Sequence, residues 1–542
     1  MDIAIRGEKI VEKVDEKKAK IIDASGMIVM PGGVDIHCHI AGAEVNSGRL
    51  LRPEDHRKDV EAKTSLTRSG VGYSIPSTFT TGYRYARMGY TTIMNPSMPP
   101  LEARHTHEEL DDTPMLDKAS YPLLGDWWFV LEYLRDDRIK ECAAYVAWMM
   151  KATKGYAIKI VNPGGLEAWG FGRNVGSIDD SVPNFGTTPR EIIRGLCKVN
   201  TLLNLPHTIH VHTNNLGKPG NYATTLETMD CVRDLASADE PIIHITHCQF
   251  SAYKGSDWRT MESGAAEIAN YVNKHNHVTL DLGQVIFTDT TTMTADGPFQ
   301  FGLYELTGNK WVNHDVETET TSGIVPFRYK RKSAVHATQW SIGLELALLV
   351  QDPWRIYLTT DHPNAGPFTA YPKIITWLMS QKAREKMVKR ISRRARKKSL
   401  LPSIDREYNF FDIATVTRAG QAKALGLTWK GHLGVGADAD VAIYGVNPEQ
   451  VDPSKKYKAV RKAFKASAYT VKGGEIVAKD GKIVKPVYGR TYWADVQLSS
   501  PFEVTEHLKR RFREYWTVEY ENYLIPENFL HASAPIPIQA EA

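Results

Sequence analysis

The chain has 542 residues, 42% hydrophobic and 24% charged, with 12 Trp and 24 Tyr, so it can bury a sizeable core and is not of the disordered class. Its formal net charge is only +4, its first residues lack the apolar core of a signal peptide, and no uninterrupted apolar run approaches the length of a membrane span. We therefore expect a cytoplasmic protein with one large domain and smaller satellites, without a membrane span.

The cysteines are scattered without a CxxC pair: Cys38, Cys142, Cys197, Cys231 and Cys248. This spacing disfavours a disulfide framework and an iron–sulfur cluster held by this chain. No GxGxxG motif follows a predicted strand, so a bound dinucleotide is disfavoured as well. Any redox centre is therefore expected in another polypeptide.

Short strand-like segments open the chain over residues 1–30, and similar segments return over residues 426–490. In the second group, apolar residues alternate with Gly-Gly and Asp-Gly turns, which is typical of hairpins. The pattern predicts one small β-domain built from both ends of the chain.

Between these ends, over residues 31–425, apolar strand-like runs alternate with helical patterns. The runs are MIVMPGGVDIHCHI, YTTIMNPSM, YAIKIVNPGG, HTIHVHTNN, IIHITHCQF, HVTLDLGQVIF and RIYLTTDHPN. Strands separated by helices indicate a parallel sheet, and this many of them predict an α/β fold of the closed (β/α)8 TIM-barrel class. Polar residues crowd the carboxyl ends of the runs, where such a barrel keeps its active site.

Two later segments complete the organisation. Residues 382–398 hold ten basic residues and one acidic residue, which would suit a nucleic-acid or acidic-partner surface. We favour a solvated helix face or a subunit contact, because no aromatic platform or nucleic-acid motif accompanies the run. Residues 491–542 are predicted to form a C-terminal extension with an irregular tail that clamps onto a partner or frays.

Four His-x-His pairs are candidate metal sites, since alternate residues of a strand point to one side and convergent imidazoles suit zinc. His37 and His39 end an apolar run, so we expect both in the barrel mouth, with Cys38 packing between them. Two pairs lie away from a strand end and are interpreted as solvated or structural: His105/His107 and His275/His277.

The fourth pair is His210 and His212, of which His212 lies nearer the carboxyl end of its strand and should reach the mouth. His210 is then a deeper residue that packs in the core or supports the ligands. By the same reasoning His247 is preferred to His244, which is expected to point the other way. Asp361 ends the run RIYLTTD, so its carboxylate should enter the same mouth.

Lys159 places an amine within the otherwise apolar run YAIKIVNPGG. A buried lysine is costly and must lose its proton or find a partner. Once deprotonated it can react with carbon dioxide to give a carbamate, a carboxylate that can bridge two cations. The alternative is a lysine whose amine extends to the barrel end. The histidines and Asp361 in strand order favour the carbamate.

These motifs resemble the amidohydrolase superfamily: PGGVDIHCHI resembles its first-strand signature, and GHLGVGADADVAIYG resembles the return into its small β-domain. The resemblance implies two Zn²⁺ ions held by His37, His39, Lys159, His212, His247 and Asp361 and bridged by N6-carboxylated Lys159. It further implies that Asp361 is the catalytic acid and base, and that the small β-domain lacks its first strand.

Within that superfamily, the stretches HVHTNNLGKPGNYATTLET, THCQFSAY and LTTDHPNAGPFTAYPKIITWLM resemble the family of formylmethanofuran dehydrogenase A subunits. This resemblance implies a subunit that interconverts formate and methanofuran with formylmethanofuran, as part of CO₂ reduction in methanogenesis or its reverse. It also implies a partner, a formate dehydrogenase-like subunit with a molybdenum- or tungsten-pterin, and iron–sulfur clusters in partner subunits only.

Three alternatives stay open. The chain could be the formylmethanofuran hydrolase subunit of a formyltransferase/hydrolase complex, or a cyclic-amide hydrolase such as a hydantoinase or dihydroorotase. The insertion between Phe287 and Trp354, rich in Thr, Tyr and Trp, favours a larger substrate than a cyclic amide. A catalytically dead barrel that serves as a scaffold is the non-enzyme alternative, which the retention of all six ligand types disfavours.

Overall fold

A computed structural model of the chain describes residues 2–237, 240–314, 322–498, 504–515 and 518–540. Eight parallel strands form its barrel: β1 (Gly33–Asp35), β2 (Tyr90–Met98), β3 (Asp117–Pro122), β4 (Lys159–Val161), β5 (Ile209–His212), β6 (Ile243–Ile245), β7 (Val278–Asp281) and β8 (Ile356–Tyr357). Strands β1 to β3 pair in one sheet and β4 to β8 in another. Parallel bridges from Cys38 to His362 and from Leu123 to Lys159 join the two sheets. The fold is therefore the predicted amidohydrolase-type (β/α)8 barrel.

The strand β3 was not among the seven runs predicted from the sequence. Its residues, DKASYP, include two charges and a proline, yet all six are buried. The Lys118 amine donates to the carbonyl of Thr113 at 3.1 Å, and the Asp117 carboxylate accepts from Lys472 at 2.8 Å. Because these charges are satisfied by residues outside the strand, the segment can lie in the barrel wall despite its composition.

Helices surround the barrel. In Pro189–Leu203 the Thr188 side chain caps the Glu191 amide, and apolar residues recur at helical spacing on the buried face. The α-helices of the described residues are Ala43–Leu51, Thr78–Arg87, Ala103–Asp111, Trp128–Arg135, Ile139–Thr153, Gly165–Trp169, Pro189–Leu203, Tyr222–Asp230, Ala265–Lys274, Gly297–Thr307, Ala334–Leu349, Tyr371–Met379, Gln381–Val388, Arg393–Lys398, Phe410–Ala414, Gly420–Ala424, Tyr457–Lys465 and Val504–Tyr515. None of them is both long and apolar enough to cross a membrane.

A five-stranded antiparallel sheet combines both ends of the chain. Its strands, in spatial order, are Lys482–Ile483, Glu475–Lys479, Tyr469–Lys472, Val441–Tyr444 and Ile28–Pro31. A hairpin of Ala4–Arg6 and Lys9–Val11 adjoins it, with the Ile10 amide donating to the Ala437 carbonyl at 2.9 Å. The limits of a small β-domain at residues 1–30 and 426–490 stay a prediction.

The C-terminal segment corrects one expectation. Thr491–Leu498 runs parallel to Ser533–Ala540, and Thr491 also pairs with Lys118 of β3. The end of the chain is thus not an irregular tail but an edge strand up to residue 540. Pro535 and Pro537 are compatible with it, because an edge strand can leave the missing N–H groups on its unpaired side.

The basic run of residues 382–398 forms two short helices, Gln381–Val388 and Arg393–Lys398, whose basic side chains are mostly exposed. Arg384 is the exception, since it is buried and donates to the backbone carbonyls of Trp377 and Arg406. The interpretation as a solvated helix face or a subunit contact stays a prediction.

The insertion between β7 and β8 is folded rather than extended. Asp289–Thr294 and Val312–His314 pair antiparallel with Ser322–Arg328, and the helix Gly297–Thr307 lies between the first two of these strands in sequence. A second small antiparallel pair, Tyr253–Lys254 with Glu262–Ser263, follows β6. Side chains of the insertion reach the barrel mouth.

Candidate metal centre

A cavity of about 20 Å³ lies at the carboxyl ends of the barrel strands. All six side chains predicted as metal ligands line it: His37, His39, Lys159, His212, His247 and Asp361. Each is at most 5% exposed. The sequence therefore predicted which residues meet in the mouth, and their roles as ligands stay a prediction.

Asp361 follows the last strand of the barrel and contacts residues that follow the first strand. Its Oδ1 atom lies 2.9 Å from Nε2 of His37 and 3.3 Å from Nε2 of His39. Ligand atoms of His37, His247 and Asp361 all lie within 4.8 Å of one another, a spacing that suits a single cation. Burial lowers the pKa of His37 and of His247, so both rings are neutral and have lone pairs to offer.

His212 and His247 face each other edge-on, with their ring centroids 4.8 Å apart. His247 follows β6 with a φ of 36°, in the left-handed region that few residues other than glycine adopt. Gly283 allows this approach, because a Cβ atom there would collide with the Cβ of His247. The unusual backbone turns the imidazole towards the cavity.

Lys159 lies on β4 with 2% of its surface exposed, so its amine does not extend to solvent at the barrel end. Burial lowers its pKa to about 7, against the opposing charges of Asp361 and Asp281. A neutral amine is thus abundant near neutral pH, and a neutral amine is the form that can react with carbon dioxide.

Two buried nitrogen atoms of the cavity, Nδ1 of His247 and Nζ of Lys159, have no hydrogen-bond partner. Leaving a buried polar atom without a partner costs free energy. Imidazole nitrogens and a carboxylate around one point form the donor set of zinc and similar divalent ions. The residues present therefore fit a bound metal.

The sequence analysis missed several residues that border the ligands. Asp296 accepts from Nε2 of His212, with 3.1 Å between them, and the Asn364 amide donates to Oδ1 of Asp361 at 3.0 Å. Thr292 and Tyr329, from the insertion, line the cavity as well. Asn364 could have been found from its position three residues after Asp361, whereas nothing in the sequence marks Asp296 as a partner of His212.

None of the other histidines whose side chains the structure describes lines the cavity. His107 and His277 are buried next to the carbonyls of Thr153 and Met229, in agreement with a structural role. His210 lies behind the ligands, with Nε2 2.8 Å from Nδ1 of His37.

The expectation that His244 points the other way is wrong. Its ring stacks on that of His210 with 4.6 Å between centroids, and its Nε2 atom lies 3.0 Å from the Asp281 carboxylate inside the barrel. The prediction assumed that side chains alternate along the strand from His244 to His247. Because β6 ends at Ile245, His247 lies outside the strand and the alternation does not extend to it.

Comparisons with known proteins agree with this geometry. A family model described as "Amidohydrolase family" matches residues 20–478. The chain is 53% identical to Protein FwdA of Methanocaldococcus jannaschii, over 100% of this chain and 96% of that protein. It is 36% identical to the A component of the formyltransferase/hydrolase complex Fhc of Methylorubrum extorquens, over 94% and 91% of the two chains.

Among solved structures, the chain resembles one from the formyltransferase/hydrolase complex FhcABCD of Methylorubrum extorquens, determined in complex with methylofuran. The TM-score is 0.90 at 33% identity, over 99% of this chain and 96% of that one. The similarity therefore extends beyond the barrel to nearly the whole chain.

Proposed function

This chain belongs to the amidohydrolase family, and we propose that it interconverts formate and methanofuran with formylmethanofuran as the A subunit of a formylmethanofuran dehydrogenase. The observation that carries the proposal is the convergence of four histidines, Lys159 and Asp361 around one buried cavity. The 53% identity to Protein FwdA of Methanocaldococcus jannaschii supports this substrate over a cyclic amide.

His37 and His39 would hold one Zn²⁺ ion, and His212 and His247 would hold the other. Carboxylated Lys159 would bridge the two ions, and Asp361 would complete the first site. When bound, the ions polarise the formyl oxygen and lower the pKa of a water molecule at the site. Their positive charge would also favour the deprotonated carbamate of Lys159.

Asp361 is the proposed carrier of the proton. In the hydrolytic direction it accepts a proton from the attacking water and donates it to the departing amine nitrogen, so that formate and a primary amine leave. The contacts with His37, His39 and Asn364 all fall on its Oδ1 atom. We therefore assign the proton to Oδ2. The reverse sequence condenses formate with the amine.

A groove of about 560 Å³ adjoins the cavity and shares Leu216 and Phe299 with it. Lys218, Trp258 and Leu306 lie along this groove, so it offers apolar surface, an aromatic ring and one cation. We propose that the tail of the amine substrate lies in the groove while its formyl end enters the cavity. A small cyclic amide would leave the groove empty.

Partner subunits would supply what this chain lacks. A formate dehydrogenase-like subunit with a molybdenum- or tungsten-pterin would interconvert carbon dioxide and formate, with electrons carried by iron–sulfur clusters in partner subunits. A second candidate is the hydrolase subunit of a formyltransferase/hydrolase complex, which the TM-score of 0.90 to the Methylorubrum extorquens structure favours.

The proposal is tested with N-formyl aminomethylfuran, the smallest formamide that retains the furan. The purified chain is stripped with a chelator and titrated with zinc, and elemental analysis is followed together with formate release. We expect two zinc ions per chain and a parallel return of hydrolysis. The proposal fails if the metal content stays at one ion or none under these conditions, or if stripped and loaded protein release formate equally.

A further inference from the structure

A chain of buried histidines runs from a proposed metal ligand to the opposite end of the barrel core. Nδ1 of His37 lies 2.8 Å from Nε2 of His210. Nδ1 of His210 lies 3.1 Å from Nε2 of His207, whose own Nδ1 lies 2.7 Å from the carbonyl oxygen of Ala424. Three imidazoles are thus connected in series and end on a backbone group.

The direction of every hydrogen bond in this series follows from its last member. A carbonyl oxygen can only accept, so Nδ1 of His207 carries the hydrogen and Nε2 of that neutral ring accepts. Nδ1 of His210 must then donate to it, which leaves Nε2 of His210 as an acceptor. Nδ1 of His37 must in turn donate, and its lone pair remains on Nε2.

From this series we infer that His207 and His210 are positioning residues that fix the tautomer of His37, so that its Nε2 lone pair faces the cavity. The inference rests on the proposed role of His37 as a metal ligand. Nε2 is the atom that lies 2.9 Å from Oδ1 of Asp361 in the cavity. In the opposite tautomer, Nε2 would carry a hydrogen and could not bind a cation.

A hydrogen-bond series with a single direction requires neutral rings, and burial favours the neutral form. His207 and His210 are 1% and 0% exposed. Burial lowers the pKa of His207 to about 3. Each ring therefore has one donor and one acceptor nitrogen, which is the condition for a series with a single direction.

Thr246 does not change the result. Its hydroxyl oxygen lies 2.5 Å from Nδ1 of His37, beside the contact with His210. A hydroxyl can donate or accept, so Thr246 alone would permit either tautomer of His37. The series that ends on Ala424 removes this ambiguity, and the hydroxyl then acts as a second acceptor for the same hydrogen.

The first test is the tautomer itself, measured in metal-free protein by ¹⁵N NMR of labelled histidine rings or by neutron diffraction. The signals of His37 are assigned from their absence in His37→Gln. We expect hydrogen on Nδ1 and none on Nε2. Hydrogen on Nε2 of His37 in the wild-type protein would overturn the inference, whatever the fate of the metal site.

The second test removes and restores the acceptor. His210→Leu takes it away from His37, whereas His210→Gln can keep a carbonyl oxygen near the place of Nε2. Supporting partners of this kind typically contribute about 10–100-fold in metal affinity. We expect a loss in that range for His210→Leu in a zinc competition assay, and a substantial recovery in His210→Gln. Equal affinities of wild type and His210→Leu would contradict the inference.

The matched control is His107→Leu, since His107 is equally buried and bonds to a backbone carbonyl but lies outside the cavity. It should leave both the zinc affinity and the His37 tautomer unchanged. If His210→Leu does not fold, the inference is tested by the His37 tautomer of the wild-type protein and by the zinc affinity of His210→Gln. If no variant binds zinc, the proposed function fails. The direction of the hydrogen bonds between the histidines is then decided by the NMR or neutron result alone.

Discussion

Oδ1 of Asp361 lies 2.9 Å from Nε2 of His37, and this contact joins the segments that follow the last and the first strands of the barrel. The backbone makes the same connection, since the amide of His39 donates to the carbonyl of His362 at 2.6 Å. The candidate metal centre can therefore form only when the barrel has closed. Binding of metal to these residues should in turn stabilise the closed barrel.

The first prediction concerns the bridge. Lys159→Ala should lose metal and activity together, because a methyl group cannot form the carbamate. Short-chain carboxylates such as propionate should restore part of both, since they can occupy the space of the missing arm. Metal content and formate release are measured with and without the added carboxylate.

Lys118→Ala is the control for Lys159→Ala. Lys118 is also a buried lysine of a barrel strand, but its amine donates to the carbonyl of Thr113. Its loss should lower stability and leave the metal content unchanged. Full activity in Lys159→Ala would show that the lysine is structural.

The second prediction concerns Asp361→Asn. The amide keeps the shape of the side chain but cannot carry a proton and is a weaker ligand. General acid–base groups typically contribute about 10²–10⁴-fold, so kcat should fall by that factor in protein that has been reloaded with metal. Circular dichroism and thermal melting check the fold. A loss below about tenfold would count against the assignment of the proton to Asp361.

The third prediction uses Asp296, which contacts His212 and also caps the helix Gly297–Thr307 by accepting from the Phe299 amide at 3.1 Å. Asp296→Asn removes the charge and keeps a side chain that caps helices well. We expect metal affinity to fall about 10–100-fold with little change in melting temperature. A large fall in melting temperature with unchanged metal affinity would make Asp296 a structural residue only.

The fourth prediction concerns a buried ionic network between the barrel and the five-stranded sheet. Lys430 lies 2.6 Å from Asp117 and 2.7 Å from Asp440, and Lys472 contacts both carboxylates. Burial opposes the charge of Asp117, but Lys430 and Lys472 outweigh it and lower its pKa. Lys430→Met should cost about 3–5 kcal/mol in the free energy of unfolding, since it leaves buried charge uncompensated.

The lowered pKa of Asp117 also sets a pH dependence. Its contribution to stability is present above its pKa in the unfolded chain and is lost as the pH falls through the lower pKa of the folded state. The free energy of unfolding is measured with urea at neutral and acidic pH. Lys430→Met should lower it less at acidic pH than at neutral pH. Lys455→Met is the control, because the exposed pair of Lys455 and Asp452 should contribute little at either pH.

The features that the sequence predicted correctly depend on local rules. His37 and His39 lie beyond β1 but on either side of the bridged residue Cys38, so the alternation of extended residues still directs both to the cavity. A lone amine in an apolar run marks Lys159. The ends of parallel strands share one edge, so the side chains that follow them converge without knowledge of the loops.

The features that were missed depend on distant partners. The strand β3 begins with a charged residue, which can be buried because Lys430 and Lys472 from the C-terminal part of the chain form ion pairs with it. Asp296 reaches His212 because the insertion folds over the barrel mouth, which no spacing in the sequence shows. His244 was misplaced because the strand ends before His247, and the rule of alternation ends with it.

The last prediction concerns the division of work between this chain and its proposed partners. Reduction of carbon dioxide needs an electron carrier, and the five cysteines of the chain show no cluster spacing. Hydrolysis of a formamide needs no electrons, because water adds across the amide bond and, in the proposed mechanism, the proton passes through Asp361 to the amine. The zinc-loaded chain should therefore release formate from formylmethanofuran or N-formyl aminomethylfuran at the same rate with and without an electron acceptor.

Partner subunits can shape the mouth, so the rate of the isolated chain is compared with that of the same chain after metal removal rather than with the assembled complex. Asp361→Asn, reloaded with zinc, serves as the control for hydrolysis by contaminants. The expected result is a zinc-dependent rate that Asp361→Asn lacks and that the acceptor does not change. If the zinc-loaded chain converts neither formamide, while the complex converts them only with an electron acceptor present, then the amide bond is handled at a different site.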